Sequence, residues 1–269
     1  MKKFLSIILA GMMAISMAAC SSAPKTDSEA DNTEVVASDF DAIKENGKMV
    51  IGYTIYEPMN YEEDGKLTGF DTEFAEAVCE KLGVEPEFVV IDWDNKFLEL
   101  ESKSIDCIWN GMTITEEAKL NASVSDPYVK NAQVVVAKAE KAAELKSVED
   151  LKGLSFAAEA GSAGEAAIKD NGLDEKYVAA AAQTDALLEV MSGSADACVI
   201  DITMANAMTG EGTSYETLAP ALELTTEEYG IAFRKDSDVT AKVNEIIDGL
   251  VADGTLPALA EKYSLTLAE

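Results

Sequence analysis

Met49-Val50-Ile51-Gly52-Tyr53, followed by the helical run 71–82 and its stop at Gly83, sets the fold class. The first stretch is a short apolar run, as a buried strand requires, and the second places Phe74, Val78 and Leu82 on one helical face. Asp71 stands where the N-cap of that helix is expected. Working outward, residues 88–91 and 107–109 read as further strands, with a helix over 96–101 between them. A long apolar run, 133–137, follows the turn at Asp126-Pro127. Alternation of this kind predicts an α/β protein.

The alternation then restarts. Ser147 opens a short helix, 154–158 is a strand, and Ser162 begins a helix that stops at Asn171-Gly172. Residues 184–191 form a helix closed by Gly193, while 197–200 and 230–233 are strands. Val239, Val243, Ile246, Ile247 and Leu250 make one apolar helical stripe, and Pro257 suits the first turn of the last helix. Two similar α/β lobes are predicted, without a sequence repeat between them, and the tail returns to the first.

The N-terminus has a different purpose. Lys2 and Lys3 precede an apolar stretch, 4–15, and small residues lead to Cys20, the layout of a secretory leader. Residues 4–19 are too short to span a bilayer. Met17-Ala18-Ala19-Cys20 resembles the bacterial lipoprotein signal, in which 1–19 are removed and Cys20 becomes the lipid-modified N-terminus; the alternative is an ordinary leader that ends near a cysteine. Several acyl chains on one residue anchor stably, at about 0.8 kcal/mol per buried methylene. Residues 20–38 hold almost nothing to bury and read as a disordered tether with a reach on the order of 23 Å. The folded part is therefore expected outside the cytoplasm, lipid-anchored to the bacterial cell membrane.

Composition removes several function classes. With 50 acidic against 21 basic residues the net charge is −29, which repels nucleic acid and anionic lipid surfaces. Histidine is absent, so Ser-His-Asp and Cys-His nucleophile systems are excluded and a zinc site would need cysteine or carboxylate ligands alone. No metal and no cofactor is expected. Besides Cys20 the chain has Cys79, Cys107 and Cys198, an odd number within apolar runs, which suits small buried hydrophobes. Arg234 is the only arginine.

Gly161-Ser162-Ala163-Gly164-Glu165 carries a capping-box spacing directly after a strand, and the exposed N–H groups of such a helix start bind anions. A plain helix cap explains it as well. Thr113-Ile114-Thr115-Glu116-Glu117 is a second helix start, with acidic residues at the positive end of the dipole. Tyr53, Tyr56, Tyr61 and Trp93 lie at or just after strand ends, where open α/β sheets hold ligands, though each also suits a core. Asp201, after the apolar strand 197–200, is either an ammonium partner or a helix N-cap.

In order and spacing these stretches resemble the polar amino acid-binding proteins of ABC importers. The matching segments include 49–53, Gly69-Phe70-Asp71, Trp109-Asn110-Gly111-Met112-Thr113-Ile114-Thr115, Ser125-Asp126-Pro127-Tyr128, Asp150-Leu151-Lys152-Gly153, Ala195-Asp196-Ala197, Gly230-Ile231-Ala232 and Asp253-Gly254-Thr255-Leu256. The resemblance implies a two-lobed periplasmic-binding-protein-like fold with a two-strand hinge through 133–137 and 226–230. The first lobe would be 39–134 with the return segment 230–269, and the second 135–229. It implies a monomeric receptor, not an enzyme, that closes on an amino acid or related amine and hands it to an ABC permease. By position Tyr56 and Trp93 match its aromatic walls, with Tyr53 beside them, and Asn110, Gly111 and Thr113 a polar edge. Ser162 and Ala163 match its carboxylate cradle and Asp201 its α-ammonium partner.

One position departs from the family. Where an arginine usually clamps the ligand's α-carboxylate as a fork, this chain has Ala118, and Glu117 and Glu159 add negative charge nearby. Either helix-start amides hold the carboxylate, with Lys119, or the ligand has none, so selectivity is expected to shift toward amines and net-positive solutes. A sensory or degenerate receptor of the same fold is the alternative function. A dehydratase-type enzyme is a third, opposed by the absent histidine and the missing clamp.

Overall fold

Lys48–Tyr53 is the strand around which the first sheet is built in the computed structural model, which describes residues 38–269. Its order is Glu85–Val90, Lys48–Tyr53, Cys107–Ile108, Ala232–Arg234 and Ala122–Val124. The first three strands run parallel, and Ala232–Arg234 runs against both of its neighbours. Phe70–Leu82 covers this sheet with the apolar face seen in the sequence, burying Phe74, Val78 and Leu82, and Phe74 meets Trp109 edge-on at 5.0 Å. The N-cap of this helix is Gly69, not Asp71, because its φ of 118° and a Cβ position only 2.3 Å from the Met59 carbonyl oxygen exclude a side chain there. Asp71 lies inside the helix, buried, and its Oδ2 accepts from the Gly111 N–H at 2.6 Å and the Tyr128 hydroxyl at 3.0 Å.

The second sheet repeats the plan in the order Tyr177–Ala180, Phe156–Glu159, Ala197–Asp201, Gln133–Lys138 and Leu218–Glu223. Again three strands are parallel and the fourth runs against both neighbours. The restarting alternation in the sequence is therefore two α/β lobes. Val129–Asn131 and Glu227–Tyr229 pair antiparallel as a two-stranded ribbon where the chain passes between the sheets. The predicted crossing at 133–137 is corrected by one element. Gln133–Lys138 is an interior strand of the second sheet, buried at every residue but Lys138, whereas the return crossing lies within the predicted 226–230.

The leader and Cys20 lie outside the described residues. Ser38, expected as the end of the tether, already belongs to the fold: it caps the helix Asp39–Asn46, a helix the sequence reading missed, and donates to Asp238 Oδ2 at 2.6 Å. Cys79, Cys107 and Cys198 are buried, as expected; all three are free, and burial pushes their thiols up.

Arg234 closes the first lobe. Its guanidinium donates to Asp39 Oδ2 at 2.9 Å, to Asp106 Oδ1 at 3.0 Å and to the Ile105 carbonyl at 2.7 Å, fixing the returning strand to the first helix and to the turn before Cys107. With the side chain only 12% exposed, removal strands two half-buried carboxylates. Arg234→Ala is expected to lower folding stability by roughly 3 kcal/mol, read from urea unfolding. An unchanged midpoint would show that the clamp contributes nothing.

Candidate functional site

The carboxyl ends of the parallel strands in both sheets open on one cavity of about 260 Å³. Trp93 follows Glu85–Val90, Asn110 and Gly111 follow Cys107–Ile108, and Glu159 and Asp201 are the last residues of their strands. Open α/β sheets bind ligands at such ends. Of the residues singled out from sequence, the first sheet's side brings Trp93, Asn110, Gly111, Thr113 and Ala118 to the lining, and the second brings Glu159, Ser162, Ala163 and Asp201.

Tyr53 and Tyr56 are not on the lining, which corrects their expected place in the walls. Tyr53 packs edge-on against Phe88 at 6.1 Å. Tyr56 is fully buried, and its hydroxyl bonds to those of Thr203 and Tyr229. The cause is Gly111, whose φ of 55° carries the backbone so close over the Tyr56 ring that a Cβ would stand 2.7 Å from it. Backbone meets the cavity there, and the tyrosine becomes a rivet behind it. Tyr61 lies in the hairpin of Tyr61–Glu63 with Lys66–Thr68, also off the lining.

Asn110 reaches the cavity with its amide already committed. Its Oδ1 accepts from the N–H and hydroxyl of Thr54, and its Nδ2 donates to the Thr54 carbonyl and to Asn60 Oδ1. Thr113 donates to Glu227 Oε1 at 2.7 Å. Asp201 is the most heavily bonded group: Oδ1 accepts from Asn131, from Gln133 at 3.0 Å and from Tyr229 at 2.8 Å, and Oδ2 from Gln183 at 2.6 Å. It is the N-cap of the helix Ile202–Met208 by position, as one of the two sequence readings has it, but its side chain makes no capping bond to that helix. Oδ2 retains capacity for a second donor.

Ser162 does cap a helix, Ala163–Asp170, accepting from the Glu165 N–H at 3.1 Å. Glu165 reaches back one residue further than the usual capping box, to the Gly161 N–H at 2.7 Å. Gly161, at φ 68°, packs against Asp94 of the opposite lobe so closely that a Cβ would lie 2.8 Å from its carboxylate. Lys119, considered as a helper for a carboxylate, points elsewhere: it is exposed, pairs with Glu116 at 2.9 Å and lines a separate, wider groove of about 900 Å³ that holds none of the candidate site residues.

The sequence reading missed Lys96, Phe97, Thr115 and Gln183 on the lining. Lys96 is buried, and the available signal was its place three residues after Trp93, on one helical turn. Glu159 is 3% exposed, and desolvation, reinforced by the charge of Asp201 and only partly offset by Lys96, pushes its carboxyl up to about 8. Desolvation, with the charge of Glu227, likewise raises Asp201. Glu117 and Asp170 are exposed and form the outer part of the lining. Among the described residues no cluster of three or more metal-ligating side chains occurs.

Comparison with known proteins agrees with this geometry. The profile of the bacterial extracellular solute-binding proteins, family 3, matches residues 49–266. The chain is 32% identical over 227 residues to the L-cystine-binding protein TcyJ of Escherichia coli K12, covering 82% of this chain and 84% of that one. A variant of ArgBP from T. maritima superposes with a TM-score of 0.78 at 34% identity, over 84% of this chain and 98% of that one. The ancestral amino acid-binding protein AncCDT-1, a precursor of cyclohexadienyl dehydratase, gives 0.78 at 32% identity, over 84% and 99%.

The raised Glu159 carboxyl sets a sign for pH. Between its ordinary value near 4.5 and its value of about 8 the folded protein holds a proton that the unfolded chain has lost, so stability falls as pH rises through that window and levels above it. The slope from one group is at most about 1.4 kcal/mol per pH unit. Asp71, raised to about 7 by burial, acts in the same direction. Urea unfolding from about pH 5 to 8.5 is expected to show Glu159→Gln gaining on the wild type as pH increases. Parallel profiles would contradict the assignment.

Proposed function

The chain belongs to the bacterial extracellular solute-binding proteins, family 3, and we propose that it is the lipid-anchored receptor of an ABC importer. It closes two lobes on an amino acid or related amine and delivers that solute to the membrane permease. The observation that carries this reading is the charge of the cavity. Glu159 and Asp201 are buried in its wall and Glu117 and Asp170 line it further out, against Lys96 as the single cation of the lining. An ammonium or guanidinium recovers most there, because a desolvated carboxylate gains more from a cation than an exposed one does.

In this reading Asp201 Oδ2 takes the α-ammonium, Trp93 supplies an apolar wall, and Ser162 and Ala163 present the helix start to an anionic group. The relatives support it: TcyJ is named an L-cystine-binding protein and AncCDT-1 an ancestral amino acid-binding protein. The receptor acts as a monomer at the outer face of the membrane. No helix among the described residues is long and apolar enough to cross a membrane; in this reading a lipid on Cys20 provides the attachment. Intact mass of the native product is expected to show an acylated N-terminal Cys20, with Cys20→Ser released to the soluble fraction. An unmodified, internal Cys20 removes the anchor.

Thermal-shift measurements over the twenty L-amino acids, L-cystine and the decarboxylated amines test the pocket, since bound solute raises the melting temperature by mass action. Basic amino acids are expected to shift it most among the amino acids; a preference for glutamate or aspartate would overturn the charge argument. Asp201→Asn is expected to weaken the best solute by roughly 2–5 kcal/mol in calorimetry, as for other buried charge pairs cut on one side. Lower folding stability with unchanged affinity would make Asp201 scaffold alone.

A further inference from the structure

Lys96 is 7% exposed, on the cavity wall, and its ammonium donates to the Gly161 carbonyl at 2.8 Å and the Trp93 carbonyl at 3.2 Å. It stands 5.0 Å from the ring centroids of both Trp93 and Phe97. No carboxylate oxygen among the described residues lies within 4.0 Å of it. An ammonium has three donor hydrogens, so one remains, and a buried charge without a counter-charge is costly to hold. Burial indeed lowers its basicity, against the opposing pull of Glu117, Glu159, Asp94 and Glu165.

One of these acceptors, the Gly161 carbonyl, stands at a helix start. Gly161 immediately precedes the cap of Ala163–Asp170, and the N–H groups of Ala163 and Gly164 take no acceptor among the described residues. The Lys96 ammonium and the Ala163 N–H thus share one cavity lining, where the second lobe begins its helix. A charged donor beside an amide donor suits a carboxylate. We propose that Lys96 is the residue that binds the solute's carboxylate, from a different turn of the chain than the arginine that Ala118 replaces. The assignment rests on the amino-acid reading of the cavity and sharpens it: the solute keeps its carboxylate, and decarboxylated amines are discriminated against rather than favoured. Because Lys96 comes from the first lobe and Gly161 from the second, the same ammonium also reports that the lobes have closed.

The test is Lys96→Met, which keeps the apolar stem against Trp93 and Phe97 and removes the charge. The probes are the tightest-binding L-amino acid of the panel above, its methyl ester and its decarboxylated amine, measured by calorimetry on the full mature chain. The wild type is expected to bind the free acid at least tenfold more tightly than the ester. In Lys96→Met the free acid is expected to lose roughly 30- to 1,000-fold in affinity, while ester and amine stay within about threefold. Adding Ala118→Arg to Lys96→Met is expected to restore preference for the acid. Unchanged discrimination in Lys96→Met overturns the assignment and leaves Lys96 a strut between lobes. An equal loss for all three probes, or a wild type that does not distinguish acid from ester, overturns it as well. A wild type that binds no amino acid overturns the proposed function itself, and this assignment with it.

Discussion

The carboxylate of Asp201 is the point on which the two lobes, the hinge and the cavity depend together. Its four donors come from four places: Asn131 on the crossing ribbon, Gln133 on the adjoining strand, Gln183 at the head of a helix and Tyr229 on the return crossing. Each donor is buried, so each would cost free energy if left without an acceptor. Tyr229 in turn bonds to Thr203 and Tyr56, which carries the network into the first lobe. Asn131 and Gln133 also donate to Glu227 Oε1, so the two amides bridge one carboxylate of the second sheet to one of the hinge. The crossing ribbon is thereby anchored at its ends.

Around that anchor, the cavity follows from strand direction. Because both sheets place their parallel strands in the same order about a central strand, the loops that leave their carboxyl ends meet across the hinge. The meeting needs close backbone approach, which Gly111 provides over Tyr56 and Gly161 against Asp94. A side chain at either place would hold the loops apart, and the residues beyond them, Thr113 on one side and Ser162 on the other, would no longer share one wall. Specificity therefore rests on backbone conformation as much as on the side chains that touch the solute.

Much of this was legible in the sequence, for identifiable reasons. Strands and helices with one-sided apolar patterning, such as 71–82 and 239–250, were read correctly because burial writes a period into the chain. The cavity-lining residues at or just after strand ends, Asp201 and Trp93 among them, were legible because topology places such positions at the cavity. The failures are of another kind. Tyr56 was assigned to a wall because an aromatic at a strand end suits one, and nothing local shows that Gly111 will lie across its ring. Asp71 had the composition of an N-cap, but the preceding Gly69 adopts a conformation that ends the loop one residue earlier. The hinge was placed at 133–137 since an apolar run marks a buried strand, and periodicity cannot tell a crossing strand from the sheet interior it enters. Lys96 was overlooked because a lysine in a charged helix reads as solvent-facing, and only the fold folds it under two aromatic rings.

The charges of the cavity make sense as one coupled set rather than as separate contacts. Burial disfavours every ion in it, so the Glu159 carboxyl is raised and the Lys96 ammonium lowered, each moving toward its neutral form. A cation placed beside Glu159 reverses the first movement by giving the carboxylate a partner, and an anion placed beside Lys96 reverses the second. A solute bearing both charges does the two at once, and the field of each restored pair strengthens the other across a water-poor space. A solute with only a cation restores Glu159 but leaves Lys96 facing more positive charge than before. Under the proposed assignment Ala118 is not a position where recognition was lost: an ammonium buried on another turn would meet the same demand for a zwitterion from a different direction, and the surplus of carboxylates would decide which zwitterions are taken.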